Sequence, residues 1–205
     1  MSKEWKRFTE EYFGKSRMEY DGGIDISTVT FLNGEERKKA EDLLIKAMID
    51  GGYYPIIGLR ELKSKKAIPV MKQLLSEIDP IRGIEIAISL NELEGTTEYI
   101  SYILNFLSED YHWTIRRTAA RRLALYGTPS VTKALYSTLK DNEYLVRYAA
   151  AESLLLIHGI ERELSFYTEL HTLLSIREEG IGIDEAYQKK ATTLLREIIK
   201  QEKEK

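Results

Sequence analysis

An all-α fold, an α-solenoid of paired helices, is predicted by three features of the sequence. The first is an internal repeat. Asp110, Ile115, Arg116, the doublet Ala119-Ala120 and Leu123 recur 31 residues later as Asp141, Val146, Arg147, Ala150-Ala151 and Leu154. The second is the spacing inside each copy, where Ile115, Ala119 and Leu123 follow at intervals of four and so share one face of a helix. The third is that only four prolines fall in 205 residues, which leaves long stretches free to be helical.

Each repeat reads as two helices. After the helix through Tyr126, Gly127-Thr128-Pro129 supplies a stop, an N-cap and a proline at the first helical position. A second helix follows with the apolar stripe Val131, Ala134, Leu135 and Leu139, and Asp141 opens the next unit. Short side chains at Ala119, Ala120, Ala150 and Ala151 let helix backbones approach, so neighbouring units can stack. A fainter copy begins at Asp79-Pro80, with Ala87 and Leu90 about two positions out of register.

The same reading predicts helices over Tyr54 to Leu62, Ala67 to Ser76, Ile81 to Leu93 and Thr97 to Leu107. Further helices are predicted over Glu143 to His158, Glu161 to Arg177 and Asp184 to Lys200, with Gly180-Ile-Gly182 as a break. Asn33-Gly-Glu-Glu36 has the form of a capping box opening a helix through Met48. Between Gly14 and Leu32, Asp21-Gly-Gly23 and the β-branched run after it read as a turn and an extended stretch. These elements divide the chain into an N-terminal capping segment (1–52), about four helix pairs (53–178) and a C-terminal capping helix (179–205).

Composition removes several functions. Without cysteine there is no disulfide, thiolate metal site or cysteine nucleophile. His112, His158 and His171 are scattered and show no metal-ligand spacing. Glu35-Glu36, Glu109-Asp110 and Glu178-Glu179 are adjacent pairs, which do not face each other on a helix. There is no glycine-rich phosphate loop or nucleophile elbow. The expectation is a protein with no catalytic residues, no metal and no cofactor. The opening residues lack a secretory apolar core and no run is long enough for a membrane span, which predicts a soluble, cytoplasmic protein. His158, before Gly159, reads as a helix C-terminal residue where a cationic ring suits the macrodipole.

Asp110, Ile115-Arg116, Ala119-Ala120, Leu123, their copies 31 residues on, and Ala67-Ile68-Pro69 resemble the short bacterial members of the HEAT-repeat superfamily. The likeness covers Tyr54 to Gly159 and implies an architecture rather than an activity. It also implies that the second helices line a concave surface, which would put Tyr102, Phe106, Lys133, Tyr136 and Tyr167 along one groove. The stretch Phe31 to Leu44, followed by Ala67-Ile-Pro and the repeats, is similar to HEAT-type proteins proposed as immunity partners of secreted toxins. Thr128-Pro129 matches half of the ankyrin signature, but Ser130-Val131 breaks it.

Charge is uneven along the chain although the net is only −3. From Glu77 to Asp110 there are eight acidic residues and one basic; from Tyr111 to Ala150 there are seven basic and two acidic. Asp110, Arg116, Asp141 and Arg147 are expected to form a structural ladder, each Arg bonding an Asp of its own or the adjacent unit. The predicted partner-binding set is Tyr99, Tyr102, Phe106, Trp113, Arg117, Arg121, Lys133, Tyr136, Lys140 and Tyr167. Solvated helix faces and packing between repeats are the plainer accounts of the same charges and aromatics.

The expected function is a non-enzymatic scaffold that binds another protein on its concave surface, with a cognate toxin as the partner that the resemblance implies. The alternative is a nucleic-acid-binding or DNA-repair HEAT-like protein using Trp113 and the basic cluster Arg116 to Arg122; net acidity weighs against it. A bilin-lyase-like HEAT protein is a third. A basic groove would favour nucleic acid; a mixed aromatic and acidic groove would favour the scaffold.

Overall fold

The computed structural model describes residues 1–14, 23–161, 163–176 and 185–204. Among them there is no strand, and the chain divides into two compact units, Met1–Ile100 and Ser101–Lys205. These do not follow the segments 1–52, 53–178 and 179–205, because the N-terminal helices share one core with the first paired helices. That core runs from Trp5 and Phe8 through Leu44 and Met48 to Ile56, Leu59, Ile86 and Leu90.

In the first unit, α1 (Lys3–Phe13), α2 (Gly34–Ile49), α3 (Tyr54–Glu61), α4 (Ile68–Leu74) and α5 (Pro80–Glu94) follow in order. Ser2 caps α1 by accepting from the Trp5 N–H, and Asp79 caps α5 by accepting from the Arg82 N–H. Tyr12 lies so close to α3 that a Cβ on Gly58 would stand 2.6 Å from its hydroxyl oxygen. The capping box predicted at Asn33 does not form: Asn33 makes no side-chain cap, and Glu36 instead accepts from the backbone N–H and hydroxyl of Ser2, at 2.8 and 2.5 Å.

Residues Ile26–Phe31 form a 3-10 helix, not the extended stretch predicted. The β-branched run has no neighbouring strand to pair with, and its hydroxyls turn inward on the chain. Thr28 Oγ1 donates to the Asp25 carbonyl and Thr30 Oγ1 to the Ser27 carbonyl. Val29 and Leu32, three apart, are the buried pair. The predicted turn at Asp21-Gly22 lies outside the described residues, as do Gly180-Ile-Gly182, Glu178-Glu179, Arg177 and Asp184.

The second unit holds all but the first residue of α6 (Ile100–Asn105), then α7 (Trp113–Leu123), α8 (Pro129–Thr138), α9 (Tyr144–Ile157), α10 (Thr168–Ser175) and α11 (Glu185–Lys203). Thr128 caps α8 through the Val131 N–H with Pro129 behind it, as the sequence requires. The helix expected from Glu161 starts late: a 3-10 turn, Leu164–Phe166, precedes α10. Helix α9 is the centre of the unit, with α7, α8 and α10 all packed on it.

Small residues permit this packing. Ala119, Ala120, Ala150 and Ala151 are fully buried, and the Ser153 hydroxyl reaches the Ala120 carbonyl at 2.9 Å. Ala120→Leu is expected to overpack the α7–α9 contact and lower stability by about 1–3 kcal/mol, read as a reduced denaturation midpoint.

Candidate functional site

The polar groups of the second unit separate into an interior framework and a surface cleft. In the framework, Arg116 lies one turn into α7 and reaches forward to the Asp141 that opens the next repeat. Its Nε and Nη2 donate to the two carboxylate oxygens at 2.7 and 2.8 Å, a bidentate pair that is nearly inaccessible to water. Nη1 donates to the Tyr111 carbonyl at 2.5 Å, and Asp141 also accepts from the Glu143 N–H at 2.8 Å. Hydrogen bonding to Asp141 first, and its charge second, raise the Arg116 pKa above the ordinary arginine value.

Arg147, the repeat counterpart of Arg116, takes carbonyls. It donates to Asp141 and Asn142 at the start of its own repeat, and to Leu174 and Ile176 at the C-terminal end of α10. It is the largest fully buried side chain among the described residues, and it ties the last turn of α10 to α9. Asp110 has no part in this framework: it is exposed and accepts from the Ser108 hydroxyl at 2.8 Å.

The first unit contains a related pair that the sequence reading missed. Arg60 Nη1 donates to Glu85 Oε1 at 2.7 Å, and the Tyr53 hydroxyl donates to Glu85 Oε2 at 3.1 Å. Glu85 is 1% exposed. A lone carboxylate between Ile84 and Ile86 was the available signal, since a buried charge demands a partner.

The predicted basic cluster of α7 is dispersed. Arg116 is withdrawn into the framework, and Arg121 reaches Glu152 at 3.5 Å. Arg117 is half-buried, and Trp113 is half-buried with its ring tilted against His112. The predicted aromatic row is dispersed too. Tyr99 lies before α6, its hydroxyl on Glu94 at 3.0 Å. Tyr102, Phe106 and Tyr111 form their own edge-to-face stack, with centroids 5.0 and 4.9 Å apart. Phe106 is buried rather than presented on a groove: α6 ends at Asn105, so Phe106 lies beyond the helix that would have carried it there. The Tyr167 hydroxyl donates to Glu202 at 3.3 Å.

What the fold brings together is Lys133, Tyr136 and Lys140. Spaced by three and four residues, they line one side of a cleft of about 620 Å³. The other side is α11, with Thr192 and Arg196. The Arg196 guanidinium lies over the Tyr136 ring, 4.8 Å from its centroid. Burial pushes the Tyr136 pKa up against a smaller opposing effect of Arg196, so its hydroxyl remains a donor at neutral pH. No acidic residue lines the cleft among the described residues. Arg196 had no sequence signal, because the register of α11 against α8 is set only by the fold.

The histidines have unrelated local roles. His112 Nδ1 lies 2.8 Å from the Thr114 hydroxyl, and His171 packs edge-on against Tyr148. His158 caps α9, but burial first and the Lys203 charge second lower its pKa below 6.5. The neutral ring is therefore favoured there, contrary to the cation expected from the helix dipole. As pH falls, the unfolded chain takes up this proton first, so stability present above pH 6.5 is expected to decline through the lowered folded value. His158→Gln should flatten that part of a pH–melting curve. Among the described residues, no group of three His, Asp or Glu could hold a metal ion. No helix among them is long and apolar enough to cross a membrane.

Helices paired in antiparallel hairpins, stacked through small residues and clamped from one repeat to the next, define an all-α repeat protein of the α-solenoid class. Residues 100–170 match the family model described as HEAT repeats, and this part of the chain is HEAT-like. No curated protein and no solved structure matches the chain.

Proposed function

We propose that the chain is a non-enzymatic scaffold that binds another protein through its second unit. The observation that carries this reading is the run of HEAT repeats over residues 100–170, since repeats of this kind generally act as protein-interaction scaffolds. The arrangement of the unit supports it. Arg116, Asp141 and Arg147 are consumed in holding repeats together, while Lys133, Tyr136 and Lys140 are left facing a cleft. In the finer form of the reading the partner is a toxin domain that the chain occludes, which rests on the likeness of Phe31 to Leu44 to immunity proteins.

A second reading, nucleic-acid binding, is favoured by one observation: the cleft is basic and aromatic rather than acidic. Affinity capture from native lysate, at low and moderate salt and with nuclease treatment, separates the two. One stoichiometric, nuclease-resistant protein is the expected result; recovery of nuclease-sensitive material alone would overturn the scaffold. If the captured protein is a toxin, co-expression with the chain should relieve its growth inhibition, and unrelieved inhibition would exclude the immunity form.

A further inference from the structure

Among the described residues, several cations outside the α8–α11 cleft are neutralised by carboxylates, whereas those lining it are not. Arg60, Arg116, Arg121, Lys66, Lys72, Arg82 and Lys190 each sit within ion-pair distance of a carboxylate. Lys133, Lys140 and Arg196 do not, among the described residues, yet they converge on one cleft and one tyrosine. Three like charges around a shared volume raise the local potential, and an anion seated among them would lower it.

The stacking of Arg196 on Tyr136 adds geometry to this charge. The guanidinium is held against the ring and also hydrogen-bonds the Tyr136 side chain, which ties the cation to the cleft while leaving others of its five N–H donors for a ligand. A guanidinium tethered in this way keeps its planar donors close to one orientation, and that planar fork matches the two oxygens of a carboxylate or phosphate. Lys133 and Lys140 supply point charges on the facing side, and the Tyr136 hydroxyl supplies a neutral donor. We infer that the cleft between α8 and α11 is an oxyanion site that takes an acidic segment of a partner protein, with Arg196 as its orienting group.

A protein segment is favoured over a nucleic acid by the charge of the surroundings. Residues 101–205 contain fifteen basic and fifteen acidic side chains. The unit as a whole is therefore charge-balanced, whereas nucleic-acid-binding domains carry a net basic charge. The volume is also that of a pocket for a few side chains. The inference rests on the scaffold reading only for the source of the anion, because oxyanion binding is measured on the purified chain alone.

The experiment is a titration of the isotope-labelled full chain, followed by amide chemical shifts, with four probes: inorganic phosphate, a glutamate-rich peptide, a phosphoserine peptide and a single-stranded oligonucleotide. Saturable shifts confined to residues 132–140 and 192–196 are expected with a peptide, and the tighter of the two peptides identifies carboxylate or phosphate as the natural group. Arg196→Gln should weaken that binding by about tenfold or more, and Arg196→Lys, which keeps the charge and loses the fork, by less. Both replacements are made at one exposed residue, so an unchanged melting curve shows that the fold is intact. The site is overturned if no probe shifts these residues, or if Arg196→Gln binds as the unaltered chain does. Tighter, strongly salt-dependent binding of the oligonucleotide overturns the assignment to a protein segment. Saturable peptide binding with no partner captured from lysate would count against the scaffold reading while leaving the site standing.

Discussion

Arg147→Ala is expected to lower the unfolding free energy by about 3–5 kcal/mol, among the largest effects of a single truncation outside the apolar core. The side chain is 1% exposed and bonds four carbonyls drawn from two places in the chain. Truncation would open a cavity and strand acceptors that water cannot easily reach. For a chain of this length a loss of that size corresponds to a melting temperature lower by roughly 6–20 °C. Arg147→Lys should recover only a minor part, because one ammonium cannot span the Asp141 and Leu174 carbonyls as the guanidinium does. Thermal melting of both variants checks the prediction; near-equal stability of the alanine variant and the unaltered chain would remove Arg147 from the framework.

The second large effect concerns the pair one repeat earlier. Asp141→Ala is expected to cost about 3–5 kcal/mol, because it leaves the Arg116 guanidinium buried without its carboxylate and the Glu143 N–H without its acceptor. Arg116→Met combined with Asp141→Leu should be markedly less harmful than Asp141→Ala, since removing both charges also removes their desolvation cost. A double-mutant cycle by chemical denaturation measures the coupling. Additive single effects would show that the two residues do not act as a unit. Binding of oxyanion probes should be unaffected in whatever fraction remains folded, because neither residue lines the α8–α11 cleft.

The parts of the fold that could be read from the sequence are those fixed by neighbours in the chain. The 31-residue period, the alanine doublets and the Thr128-Pro129 start of α8 all state local requirements, and α7 to α9 follow from them. The stretch Ile26–Phe31 misled because β-branched residues resemble a strand until their hydroxyls are seen to bond carbonyls three residues back. Glu36 misled because its partner, Ser2, is far away in sequence. The site was half legible for the same reason. Lys133, Tyr136 and Lys140 share a face by spacing alone, but Arg196 joins them only once α11 has docked, and Phe106 was lost where α6 stops early.

The Arg60–Glu85 and Arg116–Asp141 ion pairs share a feature of chain geometry. Arg60 and Glu85 are separated by 25 residues, and so are Arg116 and Asp141. Each closure therefore needs less than one repeat length of chain. A polypeptide emerging from the ribosome at roughly 5–20 residues per second would have both members of a pair in hand within a few seconds, with no need to wait for a distant segment. The order of synthesis then becomes an order of assembly: the Arg60–Glu85 closure is available before any residue of the second unit has emerged. Contacts of such short reach also keep the loop-closure cost of folding low, so the newly made chain spends little time with its apolar helix faces open to aggregation.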